Sequence, residues 1–417
     1  MKKPNFIILM TDGMRADFAN DEKVTPYTHA FFNKHGGYKF SNAYTTTTWT
    51  LASFMSVLTG LLPVNNGLDN ITESNRTKIL AQDEYFFKAS NITDDEIIMA
   101  MLNKQGYHTQ YFGQKLMYRF ATKTLFHLFK KILFFDFFFF QMDKIEKSVI
   151  KEPFFYFIYG DDGGHHPYGR FTRTNHSAWN AEKARCGLIT DNLVRHNPKR
   201  FTRKVLYDLL KDQGLQYDEK LKDFWKWFVD TGLYKNTFVF YLSDHGECLN
   251  EHDWTGHVYN AYEPIVHIPL MMYVPEMYGK ISEFIEIKDL VSSVDIVPTI
   301  LGTAKYGDGI NLTRRTGEER VIFFDYKRSG RPVKDAIYKP KNPDVRVLIH
   351  GLRYKNQKFI VTQTYDGNRY LELFDIDKDK DEQNNLISKA SDEQINRYFS
   401  WLEEAGYKDI NAWRKNK

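Results

Sequence analysis

At 417 residues the chain exceeds one minimal hydrophobic core and has length for one large domain and a smaller one. A hydrophobic fraction of 42%, a charged fraction of 26% and a net charge of +4 are those of an ordinary globular protein and give no general affinity for nucleic acid. Two cysteines, Cys186 and Cys248, exclude a disulfide framework and point to a cytoplasmic setting.

The N-terminus places Lys2-Lys3 before Phe6-Ile7-Ile8-Leu9-Met10, the charge order of a signal peptide. The apolar run is short, stops at Asp12 and lacks a small-residue cleavage site, so a buried first strand ending in Thr11-Asp12-Gly13 is expected. The stretch from Thr45 to Gly60 opens with threonines and continues as a helix-like apolar segment, with Thr50 at or near its N-cap. Free amides and the helix dipole there stabilise an anion, which makes the Thr50 hydroxyl a nucleophile candidate for attack at phosphorus or sulfur. Plain capping of the helix is the alternative role.

Leu125 to Met142 is rich in phenylalanine, but His127, Lys130, Lys131 and Asp136 interrupt it, so it falls short of a membrane span. Its basic, amphipathic part from Leu125 to Phe135 either lies on a membrane surface or packs as a helix on the sheet or in a dimer contact. Pro153–Tyr159 and Thr237–Leu242 are β-prone runs without alternation, which suggests strands covered on both faces, as in a parallel sheet. They lead into Gly160-Asp161-Asp162-Gly163-Gly164-His165 and Ser243-Asp244-His245-Gly246. A helix from Asp218 to Thr231 is expected to stop at Gly232. Strands alternating with helices predict an α/β sheet.

After about Asn311 the short strands Val321–Phe324, Val345–Ile349 and Lys358–Thr362 precede a helix from Ser391 to Glu404. They predict a small α+β subdomain with an antiparallel sheet, so that residues 1–310 form a catalytic domain and 311–417 a C-terminal subdomain.

In open α/β sheets, ligands bind beyond the carboxyl ends of the strands. Asp12, Asp244 and His245 fall at such ends, and two carboxylates with an imidazole suit one divalent cation. A histidine in the set favours zinc or manganese over calcium. An aspartate after a strand is also a common turn or helix cap.

The order of these segments resembles the sulfatase branch of the alkaline-phosphatase superfamily over nearly the whole chain. The resemblance is carried by Pro4–Asp17, Phe40-Ser41-Asn42-Ala43-Tyr44, Leu58-Thr59-Gly60-Leu61-Leu62-Pro63, His165-His166-Pro167-Tyr168, Ser243-Asp244-His245-Gly246-Glu247, Gly256-His257, Val294–Leu301 and Glu372–Ile376. It implies an alkaline-phosphatase-like α/β fold with a mainly parallel central sheet flanked by helices. It implies Asp12, Asp244 and His245 as metal ligands, joined by Thr50, which falls at the nucleophile position. His165 would contact the ester or protonate the leaving group, and His257 lies where many sulfatases place a lysine.

The chain departs from this pattern in ways that bear on mechanism. Sulfatases of the usual route carry Cys or Ser in a Cys/Ser-x-Pro-x-Arg motif, oxidised to formylglycine; here the stretch is Thr50-Leu51-Ala52-Ser53-Phe54. Threonine would yield a ketone rather than an aldehyde. Threonine nucleophiles occur in phospho-acting relatives such as phosphoethanolamine transferases, lipoteichoic acid synthases and nucleotide phosphodiesterases. The expectation is therefore metal-dependent hydrolysis or transfer of a phosphate ester through Thr50. The alternatives are sulfuric ester hydrolysis without formylglycine, and a binding protein that kept the fold and lost the chemistry. Gly13 replaces the second aspartate of the opening pair, and Gly113-Gln114-Lys115-Leu116 replaces a Gly-Lys-Trp-His element, so a single metal is expected. The expected substrate is a small-molecule or glycan ester, lipid-linked if residues 125–142 meet a membrane; no nucleic-acid partner is expected, and the oligomeric state is not legible.

Overall fold

The computed structural model describes residues 2–67, 92–114, 127–135, 140–148, 150–160, 202–257, 259–279, 281–314, 319–328, 347–364 and 368–407. The chain divides into two compact units, the first made of Met1–Ala43, Asp94–His257 and His267–Asp289, the second of Tyr44–Thr93, Val258–Val266 and Leu290–Lys417. They are interleaved along the chain, so neither is a single stretch such as 1–310 or 311–417.

The first unit is built on an eight-stranded sheet. Its strands are β1 (Asn5–Thr11), β2 (Gly37–Tyr44), β3 (His108–Gln114), β4 (Lys131–Phe135), β5 (Phe154–Gly160) and β6 (Thr237–Ser243). A hairpin of β7 (Cys248–Glu251) and β8 (Trp254–Gly256) follows, and β9 (Leu270–Tyr273) and β10 (Phe284–Ser292) complete the sheet. The spatial order is β10-β2-β9-β6-β1-β5-β3-β4. β1 pairs in parallel with both β5 and β6, and β3 in parallel with β4 and β5, while β9 runs antiparallel to β6 and β2. Every residue of β1 and β5 is buried, which is why these strands show no polar–apolar alternation. This is the mainly parallel α/β sheet of the alkaline-phosphatase-like fold.

The longer helices are α1 (Pro26–His35), α2 (Thr50–Thr59), α3 (Arg203–Asp230) and α4 (Asp392–Glu404). The helix expected over Asp218–Thr231 begins much earlier, at Arg203, where the Thr202 side chain accepts from the Val205 amide. Gly214 lies inside α3 because a Cβ there would come within 2.9 Å of Val24 Cγ1 and 3.3 Å of Met14 Cε. Leu206, Leu210, Tyr217, Leu221, Phe224 and Phe228 of α3 join Ile7, Leu9, Val239 and Tyr241 of the sheet in one core. Each fully buried side chain of this size contributes about 1.5–3 kcal/mol.

Asp218, also on α3, accepts from the Tyr27 amide at 2.6 Å, the Thr28 amide at 3.1 Å and the Thr28 hydroxyl at 2.5 Å. It thereby caps α1, whose own N-cap residue Thr25 makes no side-chain cap bond. Burial pushes the Asp218 carboxyl up to about 6, against the pull of those donors.

The Phe-rich segment corrects one expectation. Its residues 131–135 form β4, the edge strand of the sheet, and not an amphipathic helix. Phe129, Phe135 and Phe140 are buried, while residues 125–126 and 136–139 of the segment lie outside the described residues. Among the described residues, no helix is long and apolar enough to cross a membrane.

The second unit contains a small antiparallel pair, β11 (Lys305–Tyr306) with β12 (Gly309–Ile310), and a four-stranded antiparallel sheet. The sheet runs β13 (Val321–Arg328), β14 (Val347–Tyr354), β15 (Gln357–Thr364) and β16 (Arg369–Asp375) in sequence order. Tyr398, Phe399 and Leu402 of α4 pack on Leu352, Phe359, Val361 and Leu373, and the Ser391 side chain caps α4 through the Gln394 amide. This is the expected small antiparallel sheet with its terminal helix.

A buried polar network fastens this unit. Lys358 Nζ lies 3.0 Å from Glu263 Oε1 and 2.7 Å from Glu382 Oε1. The Tyr44 hydroxyl donates to Glu263 Oε2 at 3.0 Å and accepts from Arg353 Nε at 3.0 Å. Burial holds the Glu382 carboxyl up at about 7; Lys358 opposes the shift and Glu263 adds to it.

Candidate functional site

The parallel pairing of β1 with its two neighbours sets the site. In register, Thr11 faces Gly160 on one side and Ser243 on the other, so three strands end level. Asp12 follows β1 and donates its amide to the Gly160 carbonyl at 3.0 Å; Asp244 follows β6 and donates to the Thr11 carbonyl at 3.1 Å. Residues far apart in sequence therefore meet at the carboxyl edge of the sheet.

Asp12, Asp244 and His245 are buried, and one ligand atom from each lies within 4.8 Å of the others. His245 Nε2 is 3.6 Å from Asp12 Oδ1 and 3.5 Å from Asp244 Oδ2. The His245 Nδ1–H donates to the Gly246 carbonyl at 2.9 Å, which leaves the Nε2 lone pair toward the carboxylates. Burial alone would lower the His245 pKa; Asp244, then Asp12 and Glu247, outweigh it, and the pKa is raised.

Asp244 is oriented by its surroundings: its Oδ1 accepts from the Gly13 amide at 3.0 Å and the His245 amide at 2.8 Å. Gly13 has φ of +69°, a region open to glycine at little cost, so the position of the missing second aspartate supplies a backbone donor instead. The Tyr159 hydroxyl, near the end of β5, donates to Asp12 Oδ2 at 2.7 Å and lies 3.3 Å from Asp244 Oδ2.

Two carboxylates and an imidazole this close and this buried fit a divalent cation. A cation about 2 Å from each of three tetrahedral ligands sets those ligand atoms about 3–3.5 Å apart, close to the separations from His245 Nε2. The mixed oxygen and nitrogen set is one that zinc or manganese accepts.

Beside this group, His257 Nδ1 is 3.2 Å from Glu247 Oε2, and the His257 ring stacks on that of His245 with centroids 4.2 Å apart and planes at 25°. His245, Glu247 and His257 also bring three ligand atoms within 4.8 Å. His245 Nδ1 is already bonded to Gly246 and its Nε2 faces Asp12 and Asp244, so this second group is better described as a His257–Glu247 pair. Arg15, buried, reaches the Glu247 carbonyl at 3.0 Å, Glu251 Oε1 at 2.7 Å and Asp17 Oδ1 at 2.9 Å. It braces the backbone that follows His245.

Thr50 belongs to the second unit, where it is the first residue of α2 and Trp49 is the N-cap. From Ala43 to Gly60 every residue is buried except Thr50, which is half-buried. Thr45 Oγ1 lies 3.0 Å from Ser53 Oγ, tying the threonine run to the helix it precedes. His165 and Lys115 lie outside the described residues. Sequence reasoning missed Tyr159 and Glu247 as candidate functional residues. Tyr159 sits in an unbroken apolar strand and looks like core, whereas the Glu247 carboxylate two residues beyond His245 was a signal available in the motif.

Comparison with known proteins places the chain in a family. The sulfatase family model matches residues 4–139 and 210–306, together more than half of the chain. An endo-4-O-sulfatase of Bacteroides thetaiotaomicron is 26% identical over 266 residues, covering 60% of this chain and 50% of that protein. The chain thus spans about half the length of that relative. Among solved structures, one in complex with its substrate D-glucosamine-2-N,6-O-disulfate superposes with a TM-score of 0.69 at 16% identity, covering 100% of both chains. The phosphonate monoester hydrolase of Agrobacterium radiobacter superposes with a TM-score of 0.65 at 14% identity, covering 98% of this chain and 96% of the other. At these identities the structural likeness speaks for the fold, and the family match for descent. The chain belongs to the sulfatase family.

Proposed function

We propose that the chain is a metal-dependent ester hydrolase whose substrate is a sulfuric ester, carried on a sugar. The observation that carries this reading is the buried Asp12–Asp244–His245 group at the carboxyl edge of the sheet. The names of the family relatives support the choice of ester: an endo-4-O-sulfatase, and a structural neighbour bound to a disulfated glucosamine. A divalent cation held there would polarise a non-bridging oxygen of the ester. The chain's own residues do the rest. Asp12 and Asp244 fix the anionic side of the site, Gly13 and Tyr159 hold those carboxylates in place, and His257 presents an imidazole beside them.

The nucleophile is Thr50 by the family resemblance, and this favours a second reading. A threonine ester of phosphate or phosphonate can be cleaved by a further in-line displacement, whereas threonine cannot form the formylglycine of the usual sulfatase route. A phosphonate monoester hydrolase among the structural neighbours agrees with that alternative. The deciding experiment measures turnover of 4-nitrophenyl sulfate, bis(4-nitrophenyl) phosphate and 4-nitrophenyl phenylphosphonate by zinc- and manganese-loaded protein and by Thr50→Ala. Preferred turnover of the sulfate supports the first reading. Turnover confined to the phosphorus esters and abolished in Thr50→Ala establishes the second, and no turnover of any ester in either metal form overturns both.

A further inference from the structure

We infer that Glu247 is a positioning residue for His257, fixing which ring nitrogen that imidazole offers to the ester. The inference rests on the reading that His257 serves the hydrolase site. Its structural basis is independent of turnover.

Glu247 is wholly enclosed, with a side-chain exposure of 0%, while His257 keeps 16%. The partner that is buried is thus the carboxylate, and the imidazole is the one left with an open edge. A carboxylate only accepts at this distance, so His257 Nδ1 carries the proton and donates to Glu247 Oε2 at 3.2 Å. Nε2 is then the ring nitrogen that carries the lone pair. The His245 ring, stacked at 4.2 Å and nearly parallel, restrains the His257 plane from one face. His245 is held the same way, its Nδ1 bonded to the Gly246 carbonyl. Two neighbouring imidazoles therefore each have Nδ1 bonded to an acceptor, and the His245 Nε2 faces the carboxylates.

Glu247 is itself kept in place from outside the pair. Arg15 Nη1 donates to its backbone carbonyl at 3.0 Å, and that guanidinium is clamped by Asp17 and Glu251. The chain of contacts Asp17–Arg15–Glu247–His257 runs from a buried brace to the partly exposed ring. Without Glu247 the His257 ring would rotate and distribute its proton between the two nitrogens.

The test uses the full-length, zinc-loaded protein with isotope-labelled histidine, compared with Glu247→Met and Glu247→Gln; His257→Gln assigns the His257 signals. Methionine keeps the reach and burial but offers no oxygen, whereas glutamine retains an acceptor. Long-range proton–nitrogen correlation spectra are expected to show an Nδ1-protonated His257 in wild type and Glu247→Gln, and a mixture of tautomers in Glu247→Met. With 4-nitrophenyl sulfate, kcat is expected to fall about 10- to 100-fold in Glu247→Met. KM and bound zinc are expected to stay near wild type, and Glu247→Gln is expected to recover most of the lost turnover. An unchanged His257 spectrum in Glu247→Met overturns the inference. So does loss of zinc from that variant, which would make Glu247 a ligand. If none of the proteins turns over an aryl ester, the proposed hydrolase activity fails by itself while the spectra still decide the Glu247–His257 relationship.

Discussion

The Tyr159 hydroxyl donates to Asp12 Oδ2 at 2.7 Å. It approaches Asp244 Oδ2 at 3.3 Å as well, so a single phenol spans both carboxylates of the candidate metal group. Removing it leaves the ligand atoms in place but unsteadied. Tyr159→Phe is expected to weaken zinc affinity by about 10- to 100-fold, the usual cost of losing an outer-shell partner. Competition titration against a chromophoric chelator measures this, and an affinity equal to wild type would refute it.

Chelation should reveal the same site from another side. Two buried carboxylates beside an imidazole gain stability from a bound cation and lose it when the cation is withdrawn. At a metal concentration a hundredfold above Kd the gain is about 2.7 kcal/mol. The melting temperature is expected to fall on exhaustive chelation and to return with zinc or manganese more fully than with calcium. Asp12→Asn with Asp244→Asn should show no metal-dependent melting shift.

Thr50 stands apart as the half-buried residue in an otherwise buried stretch. If its hydroxyl is the nucleophile, Thr50→Ala is expected to lower kcat by about 1,000-fold or more, with unfolding by urea unchanged within experimental error. A variant retaining more than a tenth of wild-type turnover would exclude Thr50 as the nucleophile.

Lys358 shares its charge between Glu263 and Glu382 inside the second unit. Lys358→Met leaves two buried carboxylates without their cation and is expected to cost about 3–5 kcal/mol, measured by urea denaturation. The pH dependence has a defined sign. The Glu382 carboxyl titrates near 7 in the folded protein against an ordinary value of 4.5, so the folded state holds a proton that the unfolded chain releases between those values. The stability tied to Glu382 is fully present below pH 4.5 and is lost as pH rises through about 7. In Glu382→Gln the decline of the urea midpoint over that window should be shallower than in wild type.

Gly214 offers a test of packing. Alanine is ordinarily better than glycine inside a helix by about 1 kcal/mol. Here the added Cβ would meet Val24 Cγ1 at 2.9 Å. Gly214→Ala is expected to destabilise the protein by about 1–3 kcal/mol, and a rise in melting temperature would show that Val24 and Met14 give way.

The parts of this molecule that are legible in its sequence are those governed by pattern. β1, β5 and β6 are recognisable as continuous apolar runs, and their ends locate Asp12, Asp244 and His245 because parallel strands deliver their carboxyl termini to one edge. The Ser391 cap marks the start of α4 for the same local reason. What the pattern conceals depends on partners distant in sequence. Gly214 resembles a helix breaker until Met14 and Val24 are seen against it, so the first half of α3 escapes recognition. Lys130 and Lys131 give the Phe-rich segment an amphipathic look, yet pairing with β3 makes a strand of it. Lys358, in a strand written Gln357-Lys358-Phe359, has the local signature of a solvated lysine and is fully buried. Tyr159 is indistinguishable from a core aromatic until Asp12 and Asp244 are placed beyond the ends of β1 and β6.

The level ending of β1, β5 and β6 also makes metal capture a report on assembly. Side chains of a strand alternate faces, so a slip of β6 by one residue against β1 would turn Asp244 away from Asp12. A nascent chain cannot assemble the site before His245 has been synthesised, and a misregistered sheet would lack it altogether. Zinc uptake during refolding should therefore not precede the registration of β6 against β1, and a metal-sensitive dye could time that step.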